Sequence, residues 1–154
     1  MKIAIGSDHA GWEIKHNLSR YLKDKGYKIK DFGCDNGDAC DYPDFGLPVA
    51  EAVSRGEFER GILICGAGIG MSIVANKVPG VRAALCLTPV MVKVSREHND
   101  ANILILPGRI ASQKESEEMT IIFLETEFSE EERHVRRLAK VKEIERKYFK
   151  IKEP

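Results

Sequence analysis

Short runs of apolar, often β-branched residues alternate along this chain with stretches whose apolar positions recur at helical spacing. That alternation predicts βαβ units around a parallel sheet covered on both faces. The first strand is expected at Lys2–Gly6, ending in the loop Ser7-Asp8-His9. Ile14, Leu18, Tyr21 and Leu22 then mark a helix that stops at Gly26. A strand is expected at Tyr27–Phe32, and a loop rich in Gly, Asp and Asn over Gly33–Pro43. A helix around Phe45–Ser54 leads to the most apolar strand, Gly61–Cys65, and Gly66–Gly70 turns the chain into a helix ending before Pro79-Gly80. Val81–Leu87 is the fourth expected strand, Pro89 to about His98 a helix, and Asn102–Leu106 the fifth strand. Helices over about Ser112–Leu124 and Glu130–Phe149 complete the chain.

Five strands and about six helices make one doubly wound, Rossmann-like α/β unit of three layers spanning 1–154. At 154 residues the chain is long enough for a proper core. In open parallel sheets ligands sit beyond the carboxyl ends of the strands. The segments expected to carry chemistry are therefore Ser7–Gly11, Cys65–Gly70, Leu87–Pro89 and Pro107–Ile110.

Charge changes this picture only by exclusion. With 24 basic and 24 acidic side chains the formal charge is zero, so no global field argues for nucleic acid or an anionic membrane. No apolar run approaches the roughly 20 residues needed to span a bilayer, and the N-terminus lacks the features of a signal peptide. The four cysteines, Cys34, Cys40, Cys65 and Cys86, form no CxxC pair, which suits buried or active-site thiols in a cytoplasmic protein better than disulfides or zinc.

Four clusters could carry chemistry. The strongest is Cys65-Gly66-Ala67-Gly68-Ile69-Gly70 at a strand-to-helix turn. Glycines let the backbone approach a ligand closely, and a helix start offers unpaired N–H groups suited to an anion. A cysteine in such a setting is favoured as thiolate; the competing reading is a tight turn with an inert thiol. A dinucleotide-binding turn is disfavoured, because the third glycine comes one residue early and the next strand ends without an acidic residue. A P-loop lacks its Gly-Lys-Ser/Thr, and a cysteine phosphatase would need Arg where Met71 stands.

Asp8-His9 is the second cluster, placed for proton transfer on the same sheet edge, with helix capping by Asp8 as the competing role. His98-Asn99-Asp100 is the third: an acid or base beside a neutral donor, or simply a polar helix exit. Arg133, His134 and Arg137 fall on one helical face and would suit a phosphate, or form a solvated face partly neutralised by Glu130, Glu131 and Glu132. Arg109, after strand five, could join them. The combined inventory fits proton abstraction next to the carbonyl of a small phosphorylated molecule.

Taken in order, several motifs resemble the ribose/galactose isomerase family, which includes ribose-5-phosphate isomerase B and galactose-6-phosphate isomerase. They are Ile3–Gly11 (IAIGSDHAG), Asp41-Tyr42-Pro43, Gly61–Asn76 (GILICGAGIGMSIVAN), Gly80–Ala84 (GVRAA), Arg96–Asn102 (REHNDAN), Gly108-Arg109, and Arg133-His134 with Arg137. The resemblance implies an aldose–ketose isomerase of pentose phosphate metabolism without metal or organic cofactor. It also implies a homodimer, or a tetramer, with shared active sites and with the helix at about 130–149 packed at the interface. By resemblance, Cys65 matches the base, His98 the ring-opening group, and the amides of Gly66, Ala67, Gly68, Ile69 and Gly70 the enediolate hole. Asp8, Tyr42 and Asn99 match sugar contacts, and His9, Arg109, Arg133, His134 and Arg137 the phosphate set, some of it from the partner subunit. Cys65 favours ribose 5-phosphate as substrate. Ala67 departs from the family's usual Thr or Ser and removes a hydroxyl that could move a proton between sugar oxygens. A six-carbon substrate such as allose 6-phosphate, and a non-catalytic nucleotide- or sugar-phosphate-binding module, are the alternatives.

Overall fold

Residues 1–149 are described by the structure, a computed structural model; residues 150–154 of the expected unit lie outside them. The five strands are all parallel, in the order β2-β1-β3-β5-β4. They are β1 (Lys2–Ser7), β2 (Lys28–Asp31), β3 (Arg60–Cys65), β4 (Ala83–Leu85) and β5 (Ile103–Pro107). Between and after them run α1 (Trp12–Asp24), α2 (Tyr42–Ser54), α3 (Ile69–Ala75), α4 (Pro89–Asn99), α5 (Gln113–Glu125) and α6 (Glu132–Phe149). The expected α/β architecture of five parallel strands and six helices is present.

Strand order dictates which face each helix covers. The β1–α1–β2 and β4–α4–β5 connections step across the sheet in one direction, while those through α2 and α3 step in the other. Right-handed crossovers therefore place the two sets on opposite faces. The two cores follow. Ile3, Ile5, Ile62, Ile64, Leu104 and Leu106 pack with Leu18 of α1, Val92 of α4 and Phe123 of α5. Ala4, Leu63, Cys65, Ile103 and Ile105 pack with Val49 of α2 and Met71 of α3. Both cores read directly as period-two alternation along β1, β3 and β5. Alternation also decides that the Cys65 side chain projects toward the α2–α3 face.

Strand four is shorter than its apolar pattern predicts. Only Ala83–Leu85 pairs, and only with β5, so it forms an edge. Val81 instead packs under the α2–α3 core, and Leu87 is half exposed. The expected helix starting around Phe45 begins at Tyr42, with Pro43 in its first turn, a position that suits proline's fixed φ and missing N–H.

One buried charge was not legible from periodicity. Lys15 sits in the apolar stripe of α1 and is almost wholly buried, yet its ammonium meets both carboxylate oxygens of Asp31, at 2.7 and 2.8 Å, and the Cys34 carbonyl. The pair anchors the start of the Gly33–Asp41 loop to α1. Asp31 is partly exposed whereas Lys15 is not, so losing the carboxylate strands a buried cation, while losing the ammonium frees a hydrated anion. Asp31→Asn is therefore expected to destabilise the fold by about 2–3 kcal/mol and Lys15→Met by about 1 kcal/mol or less, compared by urea unfolding. Equal losses would contradict this account.

Candidate active site

The chain leaves β1 toward one side of the sheet and β3 toward the other, a change of direction that in open parallel sheets marks the ligand crevice beyond the carboxyl ends of the strands. Loops after β1, β2, β3 and β5 are sewn together there by main-chain bonds. Asp8 N–H donates to Ile64 O (3.2 Å), Cys34 N–H to Ser7 O (2.8 Å), Gly108 N–H to Cys65 O (2.8 Å) and Arg109 N–H to Gly66 O (3.0 Å). Leu87–Pro89, expected on the same edge, follows the edge strand β4 with β5 between it and β3.

Cys65 ends β3, nearly buried. The following turn is shaped by Gly68, whose left-handed backbone (φ 78°) caps α3, and any Cβ there would lie 2.4 Å from Leu85 Cδ1. The first helical bond runs from Ser72 N–H to Gly68 O at 3.0 Å. Ahead of it, the amides of Gly68, Ile69, Gly70 and Met71 have no partner within the helix, as at any helix start. Ala67 and Ile69 are exposed.

Glycines let neighbouring side chains close around this turn. The Tyr42 ring covers Gly70, where a Cβ would lie 2.9 Å from it. The Arg109 side chain covers Gly66, next to Ala10. Asp8 does act as a cap: its Oδ1 accepts from the N–H groups of Ala10 (2.9 Å) and Gly11 (3.1 Å) in a 3₁₀ turn, His9–Gly11. His9 receives the Cys40 main-chain N–H on Nδ1 at 3.3 Å. Accepting at Nδ1 leaves the neutral ring's proton on Nε2, where it can be donated to an anion or hydroxyl. The Cys40 Sγ lies 4.0 Å from the same nitrogen, and burial with the neighbouring Cys34 thiol pushes its pKa up to about 11, so it stays a neutral thiol. Nothing in the spacing of Cys40 signalled this contact, because it depends on the path of the Gly33–Asp41 loop.

The other expected residues lie elsewhere. α4 runs back antiparallel to the strands, so its last turn stands where β3 and β5 begin, with Gly61 N–H bound to Asn102 O at 2.9 Å. Cys65 is at the far end of β3, about 13 Å along the sheet at ~3.3 Å per residue. His98 and Asn99 therefore stand at the opposite edge from Cys65 in the same chain. α6 joins them: the rings of His98 and His134 stack with centroids 4.2 Å apart and planes 13° apart. Arg133 and Arg137 are exposed on α6, Arg133 pairing with Glu131 at 2.9 Å. Arg109 lies with Gly66 and does not join them. One chain thus holds two groups, Asp8, His9, Tyr42, Cys65, the 66–70 turn and Arg109 at one edge, and His98, Asn99, Arg133, His134 and Arg137 at the other.

Among the described residues no three His, Cys, Asp or Glu side chains are grouped to hold a metal ion, and no helix is long and apolar enough to cross a membrane.

His134 is 3 % exposed and its Nε2 is buried without a hydrogen-bond partner among the described residues. Burial, then the neighbouring His98 and Arg133, hold its pKa below the ordinary histidine value. The unfolded chain therefore takes up this proton first as pH falls. The contribution is complete above about pH 6.5 and declines as the pH drops below it. His134→Phe, which can stack without titrating, is expected to show a smaller drop in Tm than wild type between pH 7 and pH 5. An equal or larger drop would refute it.

The chain is similar to known proteins over most of its length. Residues 3–141 match the family model described as Ribose/Galactose Isomerase. The structure of ribose-5-phosphate isomerase B from Clostridium thermocellum superposes with a TM-score of 0.93 at 51% identity, covering 96% of this chain and 99% of that one. Ribose-5-phosphate isomerase B of Escherichia coli is 38% identical over 146 residues, 95% of this chain and 97% of that protein. D-erythrulose-4-phosphate isomerase of Pectobacterium atrosepticum is 39% identical over 129 residues, 83% of this chain and 85% of that protein. All three are isomerases, which leaves the non-catalytic binding module without support. On its sequence match and its fold, the chain belongs to the ribose/galactose isomerase family of sugar-phosphate isomerases.

Proposed function

We propose that the chain interconverts ribose 5-phosphate and ribulose 5-phosphate as a metal-free homodimer, in which each crevice is completed by the far-edge group of a second copy. The observation that carries this reading is the separation of the two groups. The crevice beside Cys65 has a thiol, backbone donors, His9 and Arg109, but lacks the second acid–base and the paired arginines that stand at the opposite edge of the sheet. A two-fold related copy can supply each to the other. Exposed Ile69 and Ile73 on α3, and Val135, Val141, Ile144 and Tyr148 on α6, offer apolar surface for that contact, consistent with α6 as the interface helix. The four free cysteines suit a reducing, cytoplasmic setting.

In this reading the partner subunit's His98, aided by Asp8, opens the furanose by moving protons between the ring oxygen and the anomeric hydroxyl. Cys65 as thiolate then takes the proton from C2 of the open aldehyde, leaving an enediolate. The same proton returns to C1 while the proton on the O2 hydroxyl passes to O1, giving the ketose. The developing oxyanion lies against the amides of Gly66, Ala67, Gly68, Ile69 and Gly70, each such donor contributing on the order of 10²–10³ in rate. Tyr42 and the partner subunit's Asn99 contact sugar hydroxyls. His9, Arg109, the partner subunit's Arg133 and the partner subunit's Arg137 hold the phosphate and so fix the reacting carbons against Cys65. The partner subunit's His134, expected in the phosphate set, is instead buried and stacks on His98.

Substrate length is the finer point. The four-carbon phosphate in the name of one relative, together with the missing hydroxyl at Ala67, favours testing four- and six-carbon phosphates beside ribose 5-phosphate. The expected result is the highest kcat/KM on ribose 5-phosphate, unchanged by EDTA and lost by at least about 10³-fold in Cys65→Ala. A Cys65→Ala enzyme of wild-type rate would eliminate the base, and inhibition by chelator would eliminate the metal-free route. Better turnover of erythrulose or allose phosphate would reassign the substrate while keeping the mechanism. Sharing between subunits is read separately, by co-expressing differently tagged Cys65→Ala and His98→Ala chains and purifying the heterodimer. One intact crevice should form in it, restoring activity that neither homodimer has.

A further inference from the structure

The turn carrying His98 and Asn99 is held from outside by a residue that none of the roles above uses. Asp100 ends α4 in the left-handed region (φ 44°, ψ 45°), a conformation costly for a residue other than glycine. Its carboxylate is gripped on both sides, Oδ1 by Arg96 Nη1 and Oδ2 by Arg82 Nη2, each at 2.8 Å. Arg82 also donates Nε–H to the carbonyls of Asn99 (3.1 Å) and Asp100 (2.9 Å), two of the acceptors a helix end leaves open. Arg96 is fixed in the core, 1 % exposed, lying over Phe123 and bonded to the carbonyls of Ala101 and Thr126. Arg82 closes the clamp from the chain entering β4, where its own N–H is held by Asn102 Oδ1 at 2.8 Å. Its side chain is about one-third exposed, so it is not a core-packing group.

We propose that Arg82 is a positioning residue for catalysis: its guanidinium fork sets His98 and Asn99 at the angle from which they enter the other subunit's crevice. The inference rests on the proposed sharing of sites between subunits. A lysine at 82 would keep the charge but offers a single ammonium where the fork makes bonds in two directions, to Asp100 and to the helix-end carbonyls. Without the fork, Asp100 is gripped only by Arg96, and the turn is free to rotate by an amount that matters to proton transfer. A displacement near 1 Å costs on the order of 10²-fold in rate. Arg133 and Arg137, which hold the phosphate in this reading, are not bonded to the clamp, so binding is affected less than turnover.

Arg82→Lys and Arg82→Ala homodimers are expected to lose roughly 10- to 100-fold in kcat with KM changed by no more than about threefold. Heterodimers then locate the defect. An Arg82→Ala chain paired with Cys65→Ala should regain activity, because one crevice combines an intact Cys65 with an intact Arg82–His98 half. The same chain paired with His98→Ala should not, since both defects fall on the same half of the site. Should Arg82→Ala not fold, Arg82→Lys enters the same pairings. The proposal is overturned by wild-type kcat in Arg82→Lys, by recovery with His98→Ala, or by no recovery with Cys65→Ala while Cys65→Ala and His98→Ala restore one another. If that reference pair does not restore activity, the shared-site reading fails first and the inference falls with it.

Discussion

Parallel pairing is the constraint on which the rest of this molecule depends. Each strand must be entered from the same edge, so every helix has to carry the chain back across the full length of the sheet. Loops leaving the strands gather at one edge and helix exits gather at the other. Cys65, Asp8, His9 and Arg109 stand on strand exits. His98 and Asn99 stand on a helix exit, α4 into β5. No adjustment of side chains can bring the two sets together within a chain, because the sheet itself separates them. In the proposed homodimer, a second copy supplies to each crevice the group that its own chain holds at the other edge.

Within each edge the precision comes from backbone bonds and from the absence of side chains. Loops at the crevice are tied to one another through main-chain N–H groups, and Gly66 and Gly70 leave room for Arg109 and Tyr42 to lie directly on the turn. At the opposite edge the tie is ionic. Arg96, Asp100 and Arg82 form a chain of charge from the core to the surface, and the helix-end carbonyls are bonded into it. Such a partly buried network is a costly way to gain stability but an effective way to define one geometry. That logic fits the positioning role proposed for this turn.

Much of the fold was legible in the residue pattern. Continuous apolar runs at Ile3–Ile5, Ile62–Cys65 and Ile103–Leu106 marked strands buried on both faces, and the helical spacing of Ile14, Leu18 and Leu22 marked the α1 stripe. The site was legible as types of residue at strand and helix ends. Less legible were features that depend on distant partners. Lys15 looked like an ordinary polar position until Asp31 was brought beside it. Arg82 stood in a recognisable motif without a role, because its partners are 17 and 18 residues away in sequence. Spacing grouped His134 with Arg133 and Arg137 on one face; in the fold His134 turns inward against His98 while the arginines stay in solvent.

By itself, then, the sequence determined the class of fold, the elements, the glycine-rich turn after Cys65 and the family, since each is written in local pattern and in ordered motifs. Only the tertiary structure decided that the expected catalytic residues fall into two groups at opposite edges. It also decided that Asp8 caps a turn, that the Cys40 main-chain N–H meets His9 Nδ1, and that Arg82 clamps the His98 turn. The physical reason is the same in each case. Local pattern records which face of an element is apolar, whereas the position of a side chain relative to a distant one is set by strand order and crossover direction, which no short stretch of residues encodes.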